Sequence, residues 1–136
     1  MLKISTKSQY GLRAMVYLAK KKKVCSLREV SKEEGIPFDY LEKIFSSLEK
    51  SDLVSAKKGV HGGYYLAKRP SLIKIGEIIK ALEKKIFFVK CISWGKSKCL
   101  CPRENDCLTK SFWAKIYATL ESALNSITLA DLIHEK

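Results

Sequence analysis

The sequence predicts a mainly α-helical protein with one small β-hairpin, on three observations. Apolar residues recur every three or four positions through most of its 136 residues. Two short β-branched or aromatic runs flank a glycine-rich tip, and a last apolar-striped segment is broader than one packing face requires. A chain of this length forms one core of useful size and leaves little room for a second globular domain.

Ser5 or Thr6 can cap a first helix, in which Tyr10, Ala14, Tyr17 and Leu18 form a core face and Lys20 to Lys23 close the end. Ser26-Leu27-Arg28-Glu29 has the pattern of a capping box and opens a second, short helix, with Val30 inward and Gly35 placed to end it. Pro37 starts a third helix with Leu41, Ile44, Phe45 and Leu48 on its buried stripe. A short helix, a tight turn and another helix make a helix-turn-helix.

Val54 to Lys57 and Tyr64 to Ala67 read as paired strands around the tip Lys58-Gly59-Val60-His61-Gly62-Gly63. After a helix-turn-helix, such a hairpin is a wing. Its glycines permit close approach to another surface, and Lys57, Lys58 and His61 put donors there. Ile75, Ile78, Ile79 and Leu82 mark a helix that packs back on this head, and residues 86–89 lead out, extended, toward the cysteines.

Beyond Cys107, apolar residues fall at Trp113, Tyr117, Leu120, Leu124 and Ile127, with a second row at Phe112, Ile116 and Ala123. Either this is one thick core helix of a monomer or one side pairs with a second copy. The dimer is preferred, with Trp113, Tyr117, Leu120 and Leu124 as its seam, because a small helix-turn-helix needs a two-fold partner to read two half-sites. The expected organisation is a winged helix-turn-helix head over 1–85, a cysteine-rich loop over 86–108, and a dimerisation helix with tail over 109–136.

The charge names the class of partner. Lys and Arg total 26 against 14 Asp and Glu, a net charge of +12. Residues 1–70 hold 15 basic and 7 acidic side chains, a balance of +8, so a polyanion such as DNA meets the N-terminal half. Lys3, Lys7 and Arg13 interrupt any signal-peptide core, no run approaches a membrane span, and a cytosolic location is expected. No Ser-His-Asp arrangement, phosphate loop or HExxH motif is present, so catalysis is not expected.

Four of the five cysteines, Cys91, Cys99, Cys101 and Cys107, fall within 17 residues, among loop formers such as Gly95, Pro102, Asn105 and Asp106. In a reducing compartment such a cluster points to a metal centre or a redox sensor. The spacing C-x7-C-x-C-x5-C matches neither ferredoxin pattern nor a paired C-x2-C zinc module, so it indicates a soft metal without naming it. Cys25 reads as a small buried residue, His61 as a polar loop residue that could touch DNA, and His134 as part of a solvated tail. Glu29, Glu33 and Glu34 read as the solvated face of the second helix, with Glu29 complementing its dipole.

The segments SxYGLRAMVYLA, SLREVSKEEGIPFDYLEKIFSSLEKSDLVSAKKGVHGGYYLAK, IGEIIKALE and CLTKSFW...LNSITLADL resemble the IscR/NsrR/CymR family of winged-helix transcription regulators over nearly the whole chain. The resemblance implies a homodimer on a double-stranded DNA operator. Three cysteines after the fourth helix imply the branch that binds an iron–sulfur cluster, of 2Fe–2S type, with 4Fe–4S or zinc as alternatives. Cys91, Cys101 and Cys107 best fill those positions. Where that branch has a histidine three residues after the last cysteine this chain has Lys110, which offers no lone pair, and the aspartate of nitric-oxide-sensing members is replaced by Gln9. Cys99 is the nearest soft donor for the vacant fourth place; an exogenous thiol, water or a residue of the other subunit are the alternatives. A thiol switch or, from another class, a cluster carrier are further readings.

On the DNA reading, Phe38, Asp39, Tyr40, Glu42 and Lys43 face the major groove, with Asp39 or Glu42 accepting from cytosine and Lys43 donating to guanine. The resemblance implies that Glu42 discriminates among promoters. Lys57, Lys58, His61, Gly62 and Gly63 lie at the minor groove, and Lys3, Ser5, Lys7 and Tyr10 hold phosphates.

Overall fold

A computed structural model describes residues 4–83, 87–89, 92–93 and 108–134. The four clustered cysteines and Lys3 lie outside the described residues. Helix α1 spans Thr6–Lys21, α2 Leu27–Glu34 and α3 Phe38–Lys50; strands β1 Val54–Lys57 and β2 Gly63–Leu66 form the wing. A 3-10 turn at Pro70–Leu72 leads into α4, Ile75–Leu82. Strands β3 Phe87–Val89 and β4 Ile92–Ser93, helix α5 Lys110–Ser126 and helix α6 Leu129–His134 follow.

The first two helices begin and end where local chemistry predicts, and α3 begins at Phe38, one residue after Pro37. Ser5 caps α1, its hydroxyl accepting from the Ser8 N–H at 3.2 Å, and Lys22 closes it in the left-handed conformation. Ser26 caps α2 by accepting from the Glu29 N–H at 3.1 Å. Gly35 ends α2 at φ 66°, a conformation glycine adopts without strain, and the turn delivers the chain to α3. Leu41, Ile44, Phe45 and Leu48 are all fully buried, as their spacing predicts.

The core is centred on α1, whose Ala14, Met15, Leu18 and Ala19 are at most 1% exposed. Around it lie Val30 and Ile36 from the α2 turn, the α3 stripe, and Ile73, Ile78 and Ile79 around α4. The wing pairs antiparallel from Val54↔Leu66 to Lys57↔Gly63, and Cys25 adds a single bridge to Tyr64, so a one-residue third strand ties the wing to the α1–α2 junction. Gly63 makes that bridge possible: any Cβ there would overlap the Cys25 carbonyl. The Tyr64 ring then lies 4.8 Å from that of Phe45.

The α2 carboxylates depart from a uniformly solvated face. Glu29 accepts from the Tyr17 hydroxyl at 2.6 Å and pairs with Lys23 at 3.9 Å. The Tyr17 bond holds its carboxyl below the usual range against the opposing effect of burial. Glu34 pairs with Arg13, and Glu33 is exposed. Cys25 is buried as expected; desolvation and the Glu29 charge push its thiol up to about 11, so it stays protonated at neutral pH.

The C-terminal end adds a helix, α6, that apolar spacing did not reveal. The signal was present as Thr128-Leu129-Ala130-Asp131, a capping box: the Thr128 N–H donates to Asp131 Oδ2 at 2.9 Å and the Asp131 N–H to Thr128 Oγ1 at 3.2 Å. Backbone bonds from Ile75 N–H to Ile127 O and from Leu129 N–H to Ile73 O zip this segment to the entrance of α4. Leu129 is fully buried and Leu132 and Ile133 pack beside it, so α6 docks on the head's core, with Ile127, Asp131 and His134 exposed.

Helix α5 has no fully buried residue. Trp113, Tyr117, Leu120 and Leu124 are half-buried, and Leu124 packs against the head's own core. The row left open is the other one: Phe112 is 54% and Ile116 40% exposed, with Ala123 exposed beyond them.

Candidate nucleic-acid interface

With its apolar stripe inward, α3 turns Phe38, Asp39, Glu42 and Lys43 outward from its first two turns. These side chains lie side by side because residues three and four apart share a helix face. Tyr40, grouped with them on sequence grounds, is half-buried; its ring meets Tyr10 edge-on at 5.5 Å. The Arg13 guanidinium lies 5.8 Å above the Tyr10 ring and hydrogen-bonds the Glu34 carbonyl. Tyr10, Tyr40 and Arg13 therefore brace α1 against the α2–α3 turn.

The wing stands beside this surface. Strand β1 packs on α3, and the Tyr64 ring of β2 lies 4.8 Å from that of Phe45 on the same helix; burial pushes the Tyr64 phenol up, and the charges of Glu49 and Glu42 push it further. Lys57, Lys58 and His61 are exposed, while Gly62 and Gly63 are half-buried because their backbones pack against residues 57–59 and Cys25. Val60, which sequence patterning does not single out, is 97% exposed at the tip. An apolar tip side chain flanked by cations suits contact with the sugar edge of a minor groove.

Three of the expected phosphate holders have other partners, Tyr10 among them through Tyr40 and Arg13. The Ser5 hydroxyl caps α1, and Lys7 Nζ donates to Ser47 Oγ at 3.1 Å, beside the α3 face rather than away from it. In exchange, the structure adds cations that sequence reasoning missed. Arg28 and Lys32, one turn apart on α2, line with Ser31 and Phe38 a shallow hollow of about 350 Å³ at the start of α3. Their four-residue spacing was the available signal. A mixed face of donors and acceptors on one helix, edged by lysines and arginine on both sides, can read base edges while neutralising phosphates.

Among the described residues no group of His, Cys, Asp and Glu is placed to hold a metal ion, and no helix is long and apolar enough to cross a membrane. Lys110 opens α5, and Gln9 is exposed on α1, donating to the Ile4 carbonyl at 3.0 Å.

Comparison with known proteins agrees with this geometry. The family model described as Rrf2, iron-dependent transcriptional regulator, matches residues 4–135. The chain is 33% identical over 136 residues to protein rrf2 of Nitratidesulfovibrio vulgaris, covering 98% of this chain and 89% of that one. It is also 33% identical to the HTH-type transcriptional regulator IscR of Klebsiella pneumoniae, covering 99% and 82%. Among solved structures, T. potens IscR superposes with a TM-score of 0.73 at 36% identity, covering 97% of this chain and 86% of that one. CymR, the global cysteine regulator of B. subtilis, superposes at 0.74 and 33%, covering 98% and 97%. A winged helix-turn-helix with this exposed third helix, matched by that family model over all but its ends, belongs to the Rrf2 family of DNA-binding transcriptional regulators.

Proposed function

We propose that this protein is a homodimeric regulator that reads a two-half-site operator through α3 and the wing, and that its cysteine segment senses iron–sulfur or redox status. The observation that carries the DNA part is the outward face Phe38, Asp39, Glu42 and Lys43 beside a basic wing. Glu42 or Asp39 would accept from cytosine N4 and Lys43 would donate to guanine, while Lys57, Lys58, Arg28 and Lys32 would contact phosphates. Such a protein works in the cytosol, where its DNA is.

The donor set fits a cluster. Cys91, Cys99, Cys101 and Cys107 would hold an iron–sulfur cluster, which supplies a centre whose presence and oxidation state follow iron and oxidants. Support comes from four thiols in 17 residues and from relatives named IscR. A second reading, a thiol switch without a cluster, is favoured by the likeness to CymR, one of whose structures is that of an oxidized form of the Staphylococcus aureus protein.

The dimer seam is best placed on the open row of α5. Phe112 and Ile116 are the large apolar side chains that the head leaves uncovered there, with Trp113, Tyr117 and Leu120 half-buried beside them. Leu124 contributes to the head instead.

Three measurements follow from this reading. Against an operator selected from random duplexes, Lys58→Ala is expected to weaken binding to all sequences and to shallow the salt dependence by about 0.9 in log–log slope for each phosphate it no longer neutralises. Glu42→Ala is expected to change base preference with the slope kept; equal weakening on every sequence would refute its role in specificity.

Anaerobic purification with iron, sulfide and zinc assays is expected to give iron and sulfide in wild type and a destabilised cluster in Cys99→Ala. A wild type that takes up neither would leave the thiol switch, and an unaltered Cys99→Ala cluster would make Cys99 a spare thiol. In sedimentation, Ile116→Asp is expected to give folded monomers, because an unpaired carboxylate in an apolar seam costs several kcal/mol. A dimeric Ile116→Asp would move the seam elsewhere.

A further inference from the structure

Glu83 is the residue that closes α4, its N–H donating to the Ile79 carbonyl at 2.7 Å. Its side chain turns away from its own helix onto α1. Oε1 accepts from the Ser5 N–H and from the Ser8 hydroxyl, both at 2.8 Å, across 78 and 75 residues of sequence. Ser8 is fully buried, the one buried polar side chain among the described residues. Helix α1 has no acidic residue in its first turn, so the negative charge that favours a helix N-terminus is supplied from α4. Burial opposes that charge, but the hydrogen bonds from Ser5 and Ser8, with Lys7 close by, hold the carboxyl below its usual range.

The packing beside this contact is equally committed. Leu82 lies over Gly11 of α1, where any Cβ would overlap the leucine Cδ1. The end of α4 and the start of α1 are thus held by one apolar notch and one charged pair of hydrogen bonds.

What these two ends lead to gives the contact its consequence. The start of α1 carries Ser5 and Lys7, with Lys7 bonded to Ser47 on α3. The end of α4 is the last described part of the head before the segment that bears the cysteines. We infer that Glu83 is a positioning residue for DNA binding, and that it transmits the state of the cysteine segment to the N-terminus of α1. The second half rests on the sensor reading above. Drawing the carboxylate off α1 would take the charged acceptor from the Ser5 N–H and leave the buried Ser8 hydroxyl only its 3.4 Å contact with Ser5 Oγ, so the end of α4 and the start of α1 move together. The opposite role, a carboxylate standing where a DNA phosphate would bind, predicts tighter binding once Glu83 is replaced by alanine.

The test compares full-length wild type, Glu83→Ala, Glu83→Gln and Ser8→Ala, each metal-free and after anaerobic reconstitution. Binding to the selected operator duplex is followed by fluorescence anisotropy, and folding by circular dichroism. Metal-free Glu83→Ala is expected to bind about tenfold more weakly, the scale of one missing charge-assisted hydrogen bond. Glu83→Gln, which keeps an acceptor for both donors, recovers most of that affinity. The ratio of reconstituted to metal-free affinity falls toward one in Glu83→Ala, and hydrogen exchange quickens at the first-turn amides of α1 but not in α3.

Unchanged or tighter binding by Glu83→Ala overturns the positioning role. A wild-type ratio already at one refutes the sensor reading and the transmission step, while the metal-free comparison still decides the positioning role. Should Glu83→Ala not fold, Ser8→Ala decides: about threefold weaker binding supports the contact, and wild-type affinity overturns it.

Discussion

The burial of α1 is the constraint on which the rest of the molecule depends. Its inward residues, Gly11, Ala14, Met15, Leu18 and Ala19, are small or free of β-branching and let neighbouring elements approach closely, and α2, α3, α4, α6 and the wing all meet it. The three surfaces proposed to meet DNA, the start of α1, the outward face of α3 and the wing, are therefore referred to a single core. A change that lifts α1 would misalign all three together.

The wing is fastened to that core at its root and left free at its tip. Cys25 bridges to Tyr64, Gly63 leaves room for the bridge, and Tyr64 stacks near Phe45 on α3. The high thiol pKa of Cys25 keeps this joint chemically quiet at neutral pH, which separates its structural part from that of the clustered cysteines. Beyond the root, Lys57, Lys58, Val60 and His61 are exposed and can adapt to a groove.

Features set by local periodicity were legible in the sequence. The stripe Leu41, Ile44, Phe45 and Leu48, the Ser26 cap, the Gly35 turn and the first wing strand stand where spacing and turn chemistry put them, because each depends on near neighbours; the second wing strand begins one residue earlier, at Gly63, because that glycine pairs with Lys57. What depends on distant partners was not legible. Glu29 looks like a solvated carboxylate until Tyr17 is placed over it, and Glu83 looks like a helix end until Ser5 and Ser8 are found against it. The sequence offers two apolar rows on α5 and favours the Trp113–Leu124 row as the outer one, and only the head's position assigns Leu124 inward and Ile116 outward. Short α6 carried its signal in a capping box rather than in a long apolar period.

The central claim is that one surface, made by the start of α1, the first turns of α3 and the wing, receives DNA. Amide chemical-shift mapping of the isotope-labelled chain, titrated with a duplex recovered by selection, tests it directly. The largest shifts are expected at Lys7, Asp39, Glu42, Lys43, Lys58, His61 and Gly62, with α6 and the C-terminal turn of α1 nearly still. Shifts concentrated on α5 and α6, with α3 unmoved, would contradict it.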